Sequence, residues 1–125
     1  MKRVINRRIG MFIAGAVVGL AMSVALAQDP VVVDAKHYKV TFENDQVRIL
    51  KITYGPKEKS VMHEHPDAVA VFLTDGQIRF ALPDGKSQDV TVKAGTSMFT
   101  AGGKHLPENI GDKAFEVVLI ELKKR

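Results

Sequence analysis

The chain has 125 residues, with 18 Lys and Arg, 14 Asp and Glu, four His, no Cys and no Trp, and 46% of it is hydrophobic. This length fits one small domain, and the lack of Cys excludes disulfides, zinc-thiolate sites and thiol nucleophiles. Four of the basic residues and none of the acidic residues precede Gln28, so the rest of the chain is formally neutral. A basic nucleic-acid-binding surface is therefore excluded as a leading hypothesis.

The first 27 residues have the pattern of an export signal. A basic head, Lys2–Arg8, precedes a run of 19 uncharged residues that ends in Ala25-Leu26-Ala27, the small-x-small pattern of a signal-peptidase site. We predict a signal peptide over residues 1–27, cleavage after Ala27, and a periplasmic or secreted protein. The run is also close to the roughly 20 residues that span a bilayer, so an uncleaved N-terminal membrane anchor is the alternative. The pattern does not decide between Sec and twin-arginine export.

The remaining chain is predicted to be all-β. Residues 28–36 form a short lead segment, and residues 37–125 form the domain. From His37 onward, apolar and polar residues alternate and turn residues recur at short spacing, while no segment keeps a helical period. The predicted strands are Tyr38–Glu43, Gln46–Tyr54, Ala68–Leu73, Gln77–Leu82, Val90–Lys93, Ser97–Thr100 and Phe115–Leu122. Short, evenly spaced strands predict a sandwich or a closed barrel.

The predicted turns contain residues that favour the backbone conformations of tight turns. Asn44-Asp45 and Thr74-Asp75-Gly76 favour tight reversals with positive φ, and Pro83-Asp84-Gly85-Lys86 combines a fixed φ at Pro with a permissive Gly. These turns bracket a hairpin between Gly76 and Gly85.

Three histidines have the spacing of a candidate metal site. His63 and His65 stand at i and i+2, so both imidazoles project from the same face of an extended strand. His105 follows 40 residues after His65, directly after a Gly-rich turn. Imidazoles that converge in this way can bind a divalent metal, although a bare His-x-His is also common as a surface pair. His37 belongs to no such pattern.

These residues resemble the two sequence motifs of the cupin superfamily. Gly55, His63-Glu64-His65 and Gly76 are similar to the first motif, which has Gly, His-x-His, Glu and Gly. The second motif is matched in Gly95–Asn109, where Thr100, Gly102, His105 and Asn109 stand at its Pro, Gly, His and Asn. The resemblance implies a single-domain jelly-roll β-barrel with a divalent metal at its mouth, and a structural role for Asn109 in the turn before Gly111.

The resemblance also implies a Glu ligand that this sequence lacks. Seven residues before Gly76 stands Val69, and the alternative spacing gives Ala70. The implied ligand set is therefore His63, His65 and His105, which suits Fe, Mn, Ni, Zn or Cu by ligand type alone.

Two nearby carboxylates are candidates to complete this set or to act as general base. Asp67 stands two positions after His65, so in an unbroken strand it would project from the same face as His63 and His65. Glu108 follows His105 by three residues. The alternative for both is a surface or turn position. Val69 and Val71 share the same parity and are predicted to face the cavity.

Three classes of function follow from the resemblance. The first is an envelope-located metal-dependent oxidoreductase or dioxygenase acting on a small molecule, with His63, His65 and His105 as ligands and Glu108 or Asp67 as proton acceptor. The second is a non-catalytic module that binds a small molecule. The third is a structural or protein-interaction barrel whose metal site is degenerate. A small-molecule ligand and a homodimer are the partners implied. No residue pattern identifies the substrate.

Overall fold

The structure, a computed structural model, describes residues 28–124. The predicted signal peptide, residues 1–27, lies outside the described residues. In the part of the chain that is described, no helix has both the length and the hydropathy that a membrane-spanning helix needs.

The described chain folds into two antiparallel sheets. A short helical turn, α1 (Pro30–Val33), is followed by β1 (Tyr38–Glu43), β2 (Val47–Tyr54), β3 (His63–His65), β4 (Ala68–Phe72), β5 (Gly76–Ala81), β6 (Ser87–Val92), β7 (Ser97–Thr100), β8 (Gly103–Asn109) and β9 (Phe115–Leu122). One sheet has the order β1-β2-β9-β4-β7 and the other β3-β8-β5-β6. The all-β prediction is confirmed.

The core fills the space between the two sheets. In β9 every second residue is buried, from Phe115 to Glu121, as expected for a strand with one face on the core. The five-stranded sheet contributes most of the core, and Ile78 and Val92 come from the four-stranded sheet. The full cluster is Tyr38, Leu50, Ile52, Tyr54, Ala68, Ala70, Phe72, Ile78, Val92, Phe115, Val117 and Leu119.

All seven predicted strands are present, with ends that differ by at most three residues. β3 and β8 were not among the predicted strands; β8 contains Gly103 and Pro107, which are turn-forming residues by local propensity. In the structure β8 pairs with both β3 and β5. Hydrogen bonding to two neighbours outweighs the local composition, which is the usual behaviour of strand propensities.

The turns differ from the prediction at two positions. Gly85 has φ 87°, as predicted, whereas Asn44 and Gly76 do not have positive φ. Instead, Oδ1 of Asn44 accepts hydrogen bonds from the backbone N–H groups two and three residues further on, at 2.8 and 2.9 Å. Gly76 is required by packing, since a Cβ there would collide with the ring of Phe115.

The prediction that Val69 and Val71 face the cavity is wrong. β4 buries its first, third and fifth residues, so these two valines lie on the opposite, outer face of the sheet. The reason is that β3 and β4 belong to different sheets, with Pro66 and Asp67 between them. The parity of His63 and His65 therefore does not continue into β4.

A row of apolar side chains crosses the outer face of the five-stranded sheet. In cross-strand register it runs through one residue of each strand: Phe42, Ile49, Ile120, Val69 and Phe99. Phe42 and Phe99, at its two ends, are 52% and 59% exposed. Because both faces of this sheet carry apolar residues, alternation along β4 and β9 is weak in the sequence.

The lead segment packs onto the domain. Pro30 is buried, and Val31 contacts the core. Asp29 caps α1 by accepting a hydrogen bond from the backbone N–H of Val31 at 3.0 Å. The backbone N–H of Glu64 donates to the carbonyl oxygen of Gln28 at 2.9 Å. The segment therefore lies directly against β3.

The side chain of Asn109 links backbone groups of separate segments at the end of β8. We expect Asn109→Ala to lower the free energy of unfolding by about 2 to 4 kcal/mol. Its side chain is buried, and its amide donates to the carbonyl oxygens of Gly55 (3.0 Å) and Lys113 (2.8 Å). Its Oδ1 accepts from the backbone N–H of Gly111 at 3.0 Å. Urea denaturation measures the change. Asn44→Ala, which removes two exposed hydrogen bonds in a turn, is the matched control and should cost less than about 1 kcal/mol. Equal losses in the two variants would contradict the assignment.

Candidate metal centre

The paired strands β3 and β8 bring the three predicted histidines together. His63 lies opposite His105 in the antiparallel register, and His65 lies two residues further along the same buried face of β3. The ring centroids are 4.8 Å apart for His63 and His65, 4.9 Å for His63 and His105, and 5.2 Å for His65 and His105. Among residues 28–124 this is the group that could hold a metal ion.

The spacing of the nitrogens fits a divalent cation. One nitrogen from each ring lies within 4.8 Å of the other two, and Nε2 of His63 is 3.2 Å from Nε2 of His105. Two nitrogens that bind a tetrahedral ion at about 2.0 to 2.1 Å are themselves about 3.3 Å apart. The donor set thus suits a late first-row divalent ion.

Hydrogen bonds at Nδ1 leave Nε2 of two rings available for the metal. Nδ1 of His63 lies 2.8 Å from the carbonyl oxygen of Val61, which can only accept, so Nδ1 carries the proton. Nδ1 of His65 lies 2.7 Å from Oε2 of Glu121. A carboxylate behind a ligating histidine is the common arrangement around bound metals, because it fixes the tautomer and the ring orientation.

Glu121 is a site residue that the sequence analysis missed. It is buried at the end of β9, and its second oxygen accepts from Nε of Arg48 at 2.7 Å. Arg48 in turn donates two hydrogen bonds to Asp29, at 2.7 and 3.0 Å. Burial alone would raise the pKa of Glu121, but the hydrogen bonds from His65 and Arg48 outweigh it and hold the pKa below its usual value. Glu121 is therefore a carboxylate at neutral pH.

His63 and His105 are held neutral by their surroundings. Burial, followed by the proximity of His65, lowers the pKa of His63 to about 4. Burial, followed by the proximity of His65 and His63, lowers the pKa of His105 to about 3. At neutral pH both rings therefore offer a lone pair.

These low pKa values predict that the metal-free protein loses stability as the pH falls from about 7 to about 5. Unfolded histidines bind protons near pH 6.5, while folded His63 and His105 do not until about pH 4 and about pH 3. The unfolded state thus binds more protons across this window, so its free energy falls relative to the folded state. We expect a loss on the order of a few kcal/mol, measured by urea denaturation after chelation. A flat profile over this range would contradict the prediction.

The two predicted carboxylates lie outside the histidine cluster. Oδ1 of Asp67 accepts a hydrogen bond from the backbone N–H of Gly102 at 2.7 Å, in the turn before β8. Glu108 is paired in register with Arg79, and it has the opposite parity to His105 on β8. In the described part of the chain neither carboxylate belongs to the histidine cluster. The hydrogen bond from Gly102 holds Asp67 in its turn, and the alternation of side chains along β8 directs Glu108 away from the face that carries His105. Whether either acts as a proton acceptor stays a prediction.

The position of the missing Glu ligand is filled by a small apolar residue. Ala70 faces the cavity and Val69 does not, so Ala70 is the counterpart of that ligand in space. A methyl group cannot bind a cation, and among residues 28–124 no carboxylate joins the three histidines in the cluster.

An apolar cavity of about 420 Å³ lies inside the barrel beside the cluster. His65 and His105 form part of its wall, and the ring of Phe80 stacks on His105 with centroids 5.1 Å apart. The remaining wall is largely aliphatic and aromatic. A more open cleft of about 550 Å³ lies around Asp29 and Arg48, whose charges are already paired with each other, so the interior cavity is the better ligand site.

A comparison with known protein families matches the part of the chain that contains the three histidines. The sequence model of the family described as "Cupin domain" matches residues 50–121, which include all three histidines. No curated protein matches the chain.

Solved structures with this architecture include proteins of several bacteria. A cupin domain from Bordetella pertussis Tohama I is 28% identical, with a TM-score of 0.65 over 70% of this chain and 92% of that one. A conserved protein of unknown function from Streptococcus pyogenes is 19% identical, with a TM-score of 0.52 over 70% and 74% of the two chains. The polyketide cyclase RemF from Streptomyces resistomycificus is 17% identical, with a TM-score of 0.52 over 70% and 65%. The last two show similarity of fold alone.

Proposed function

The chain belongs to the cupin domain family, and on that premise we propose that it is a metal-dependent enzyme of the cell envelope, an oxidoreductase of the dioxygenase type acting on a small molecule. One observation carries the proposal: the imidazoles of His63, His65 and His105 converge beside an apolar cavity. Such a cavity takes up a small apolar molecule, and a few polar groups in its wall orient it.

Each residue of the site has a distinct task in this proposal. His63, His65 and His105 hold a divalent ion, which when bound supplies redox chemistry and a Lewis-acid position for a substrate oxygen. Glu121 keeps the ring of His65 in its ligating orientation. Phe80 and the aliphatic wall hold the apolar part of the substrate and keep water out of the cavity.

Metal content and oxygen consumption test the proposal. The protein, isolated without a polyhistidine tag, is expected to hold about one equivalent of iron or another redox-active metal. With that metal it should consume O₂ in the presence of at least one member of a panel of small enols, phenols and carboxylic acids, whereas His63→Ala/His65→Ala should not. Bound metal without turnover would replace the enzyme by a metal-dependent binding module. No metal, even after reconstitution, would leave a barrel with a degenerate site and overturn the proposal.

The envelope location rests on the leader pattern of residues 1–27. Cell fractionation and N-terminal sequencing test it, and we expect a soluble periplasmic or secreted protein that begins at Gln28. A full-length chain in the membrane fraction would support the anchor instead, and a full-length chain in the cytoplasm would overturn both.

A further inference from the structure

A buried tyrosine hydroxyl points at the histidine cluster. The hydroxyl of Tyr38 lies 3.1 Å from Nε2 of His63, and its ring centroid is 4.9 Å from that of His63 and 5.7 Å from that of His65. The side chain is 2% exposed and forms part of the cavity wall. Tyr38 therefore stands at the junction of the metal centre and the cavity.

A second tyrosine fixes this hydroxyl in place. The hydroxyl of Tyr54 lies 2.5 Å from that of Tyr38, and the two rings meet edge to face at 6.0 Å. Tyr54 is buried as well, and the ring of His37 stacks on it at 4.4 Å. The position of the Tyr38 hydroxyl is thus set by packing as well as by hydrogen bonds.

The hydrogen bonds at Nε2 of His63 change when the cluster holds an ion. Since Nδ1 carries the ring proton, Nε2 has a lone pair, and the Tyr38 hydroxyl can donate a hydrogen bond to it. An ion that binds Nε2 takes up this lone pair. The Tyr38 hydroxyl, a buried donor that is costly to leave without a partner, can then donate to the Tyr54 hydroxyl or to a new acceptor in the cavity, such as an oxygen atom of a bound ligand.

We propose that Tyr38 is a ligand-binding residue of this site, whose hydroxyl donates a hydrogen bond to the oxygen atom of a small ligand held at the three histidines. This inference rests on the proposed function. It assigns the ligand class as oxygen-donor anions with an apolar body, such as enolates, phenolates or carboxylates. Three neutral imidazoles leave the charge of a divalent ion uncompensated, which favours an anion, and the apolar cavity accommodates the rest of the molecule.

The test compares two probes on Co²⁺-loaded protein by visible absorption. Acetate keeps a lone pair on its coordinated oxygen and can accept from Tyr38, whereas imidazole, once coordinated through nitrogen, has none to offer. We expect Tyr38→Phe to weaken acetate binding about tenfold or more and to change imidazole binding by less than about twofold, since a hydrogen bond to a charged acceptor contributes at least about 1.4 kcal/mol. Tyr54→Phe keeps the Tyr38 hydroxyl but removes the hydroxyl that orients it, so we expect it to weaken acetate binding less than Tyr38→Phe does and to change imidazole binding by less than about twofold.

A second measurement uses the wild-type protein and does not depend on the folding of a variant. The chain has two Tyr and no Trp, so its near-ultraviolet spectrum reports on Tyr38 and Tyr54 without tryptophan background. On Zn²⁺-loaded protein we expect acetate to produce a tyrosine difference spectrum and imidazole to produce none. No acetate signal would overturn the inference.

The outcomes separate this inference from the proposed function. Wild-type protein that takes up no Co²⁺ overturns both. If the wild-type protein takes up Co²⁺, three results overturn the inference alone. Tyr38→Phe changes the binding of the two probes equally, it changes neither, or Tyr54→Phe weakens acetate binding as much as Tyr38→Phe does. A phenolate-to-iron charge-transfer band in Fe³⁺-loaded wild-type protein, lost in Tyr38→Phe, would make Tyr38 a direct metal ligand and also overturn it.

Discussion

Replacing both His63 and His65 by Ala is expected to abolish stoichiometric metal binding while the barrel stays folded. A site with three imidazole ligands would keep only His105. From the binding energies of structural metal sites, the loss of two ligands should lower affinity by on the order of a thousandfold or more. Isothermal titration with Zn²⁺ or Co²⁺ measures the affinity, and far-ultraviolet circular dichroism checks the fold.

The fourth histidine supplies the control for this experiment. His37 is buried outside the cluster, where Nδ1 lies 2.8 Å from both carboxylate oxygens of Asp34. His37→Gln should therefore keep one equivalent of metal. If the His63/His65 double variant unfolds, His105→Ala is the alternative, because its ring is only partly buried. Metal retained by a folded double variant would mean that the ligands are wrongly assigned.

Glu121→Gln should weaken metal binding by about 10- to 100-fold without removing any ligand. The carboxylate of Glu121 holds Nδ1 of His65 at 2.7 Å and makes its Nε2 a better donor. A neutral amide holds the ring less firmly and does not favour positive charge on it. The lost negative charge also leaves Arg48 with Asp29 as its one remaining acidic partner among the described residues.

Glu116→Gln is the matched control for this variant. Glu116 lies on the same strand, on the outer face, 3.8 Å from Lys51 in a partly exposed ion pair. Such pairs contribute little to stability, so metal affinity and thermal stability should both stay near wild type. Equal metal affinity in the Glu121→Gln and Glu116→Gln variants would show that Glu121 does not support the site.

The pairing of His63 and His65 could be predicted from the sequence because its geometry is local, whereas His105 was found only through its position in the second motif. His63 and His65 share a face through the two-residue period of a strand, and the structure confirms that both are buried on one face. Asn109 was identified through its motif position, and its hydrogen bonds around Gly111 and Lys113 match the predicted structural role.

The supporting residues could not be predicted, because they reach the site through pairings distant in sequence. Glu121 interrupts an apolar strand at a buried position, and this was the one available signal: a buried charge requires a partner. Tyr38 and Arg48 carry no such signal, since an aromatic residue or an arginine on a strand is ordinary. The wrong prediction for Val69 has a similar origin. The alternation of side chains between two faces does not continue where the chain passes from one sheet to the other.

The central position of β9 determines when in folding the site can form. Glu121 meets His65 across 56 residues and Arg48 across 73 residues of chain, since β9 lies between β2 and β4. Contacts of such separation form slowly, because a long loop must close before they are made. The pairing of β3 with β8, which brings His63 and His105 together across 42 residues, does not involve β9 and can form before β9 is in place, but then without the carboxylate behind His65. A metal ion present during refolding should therefore bind weakly at first and tightly only after the last strand has inserted, as a slow second kinetic phase.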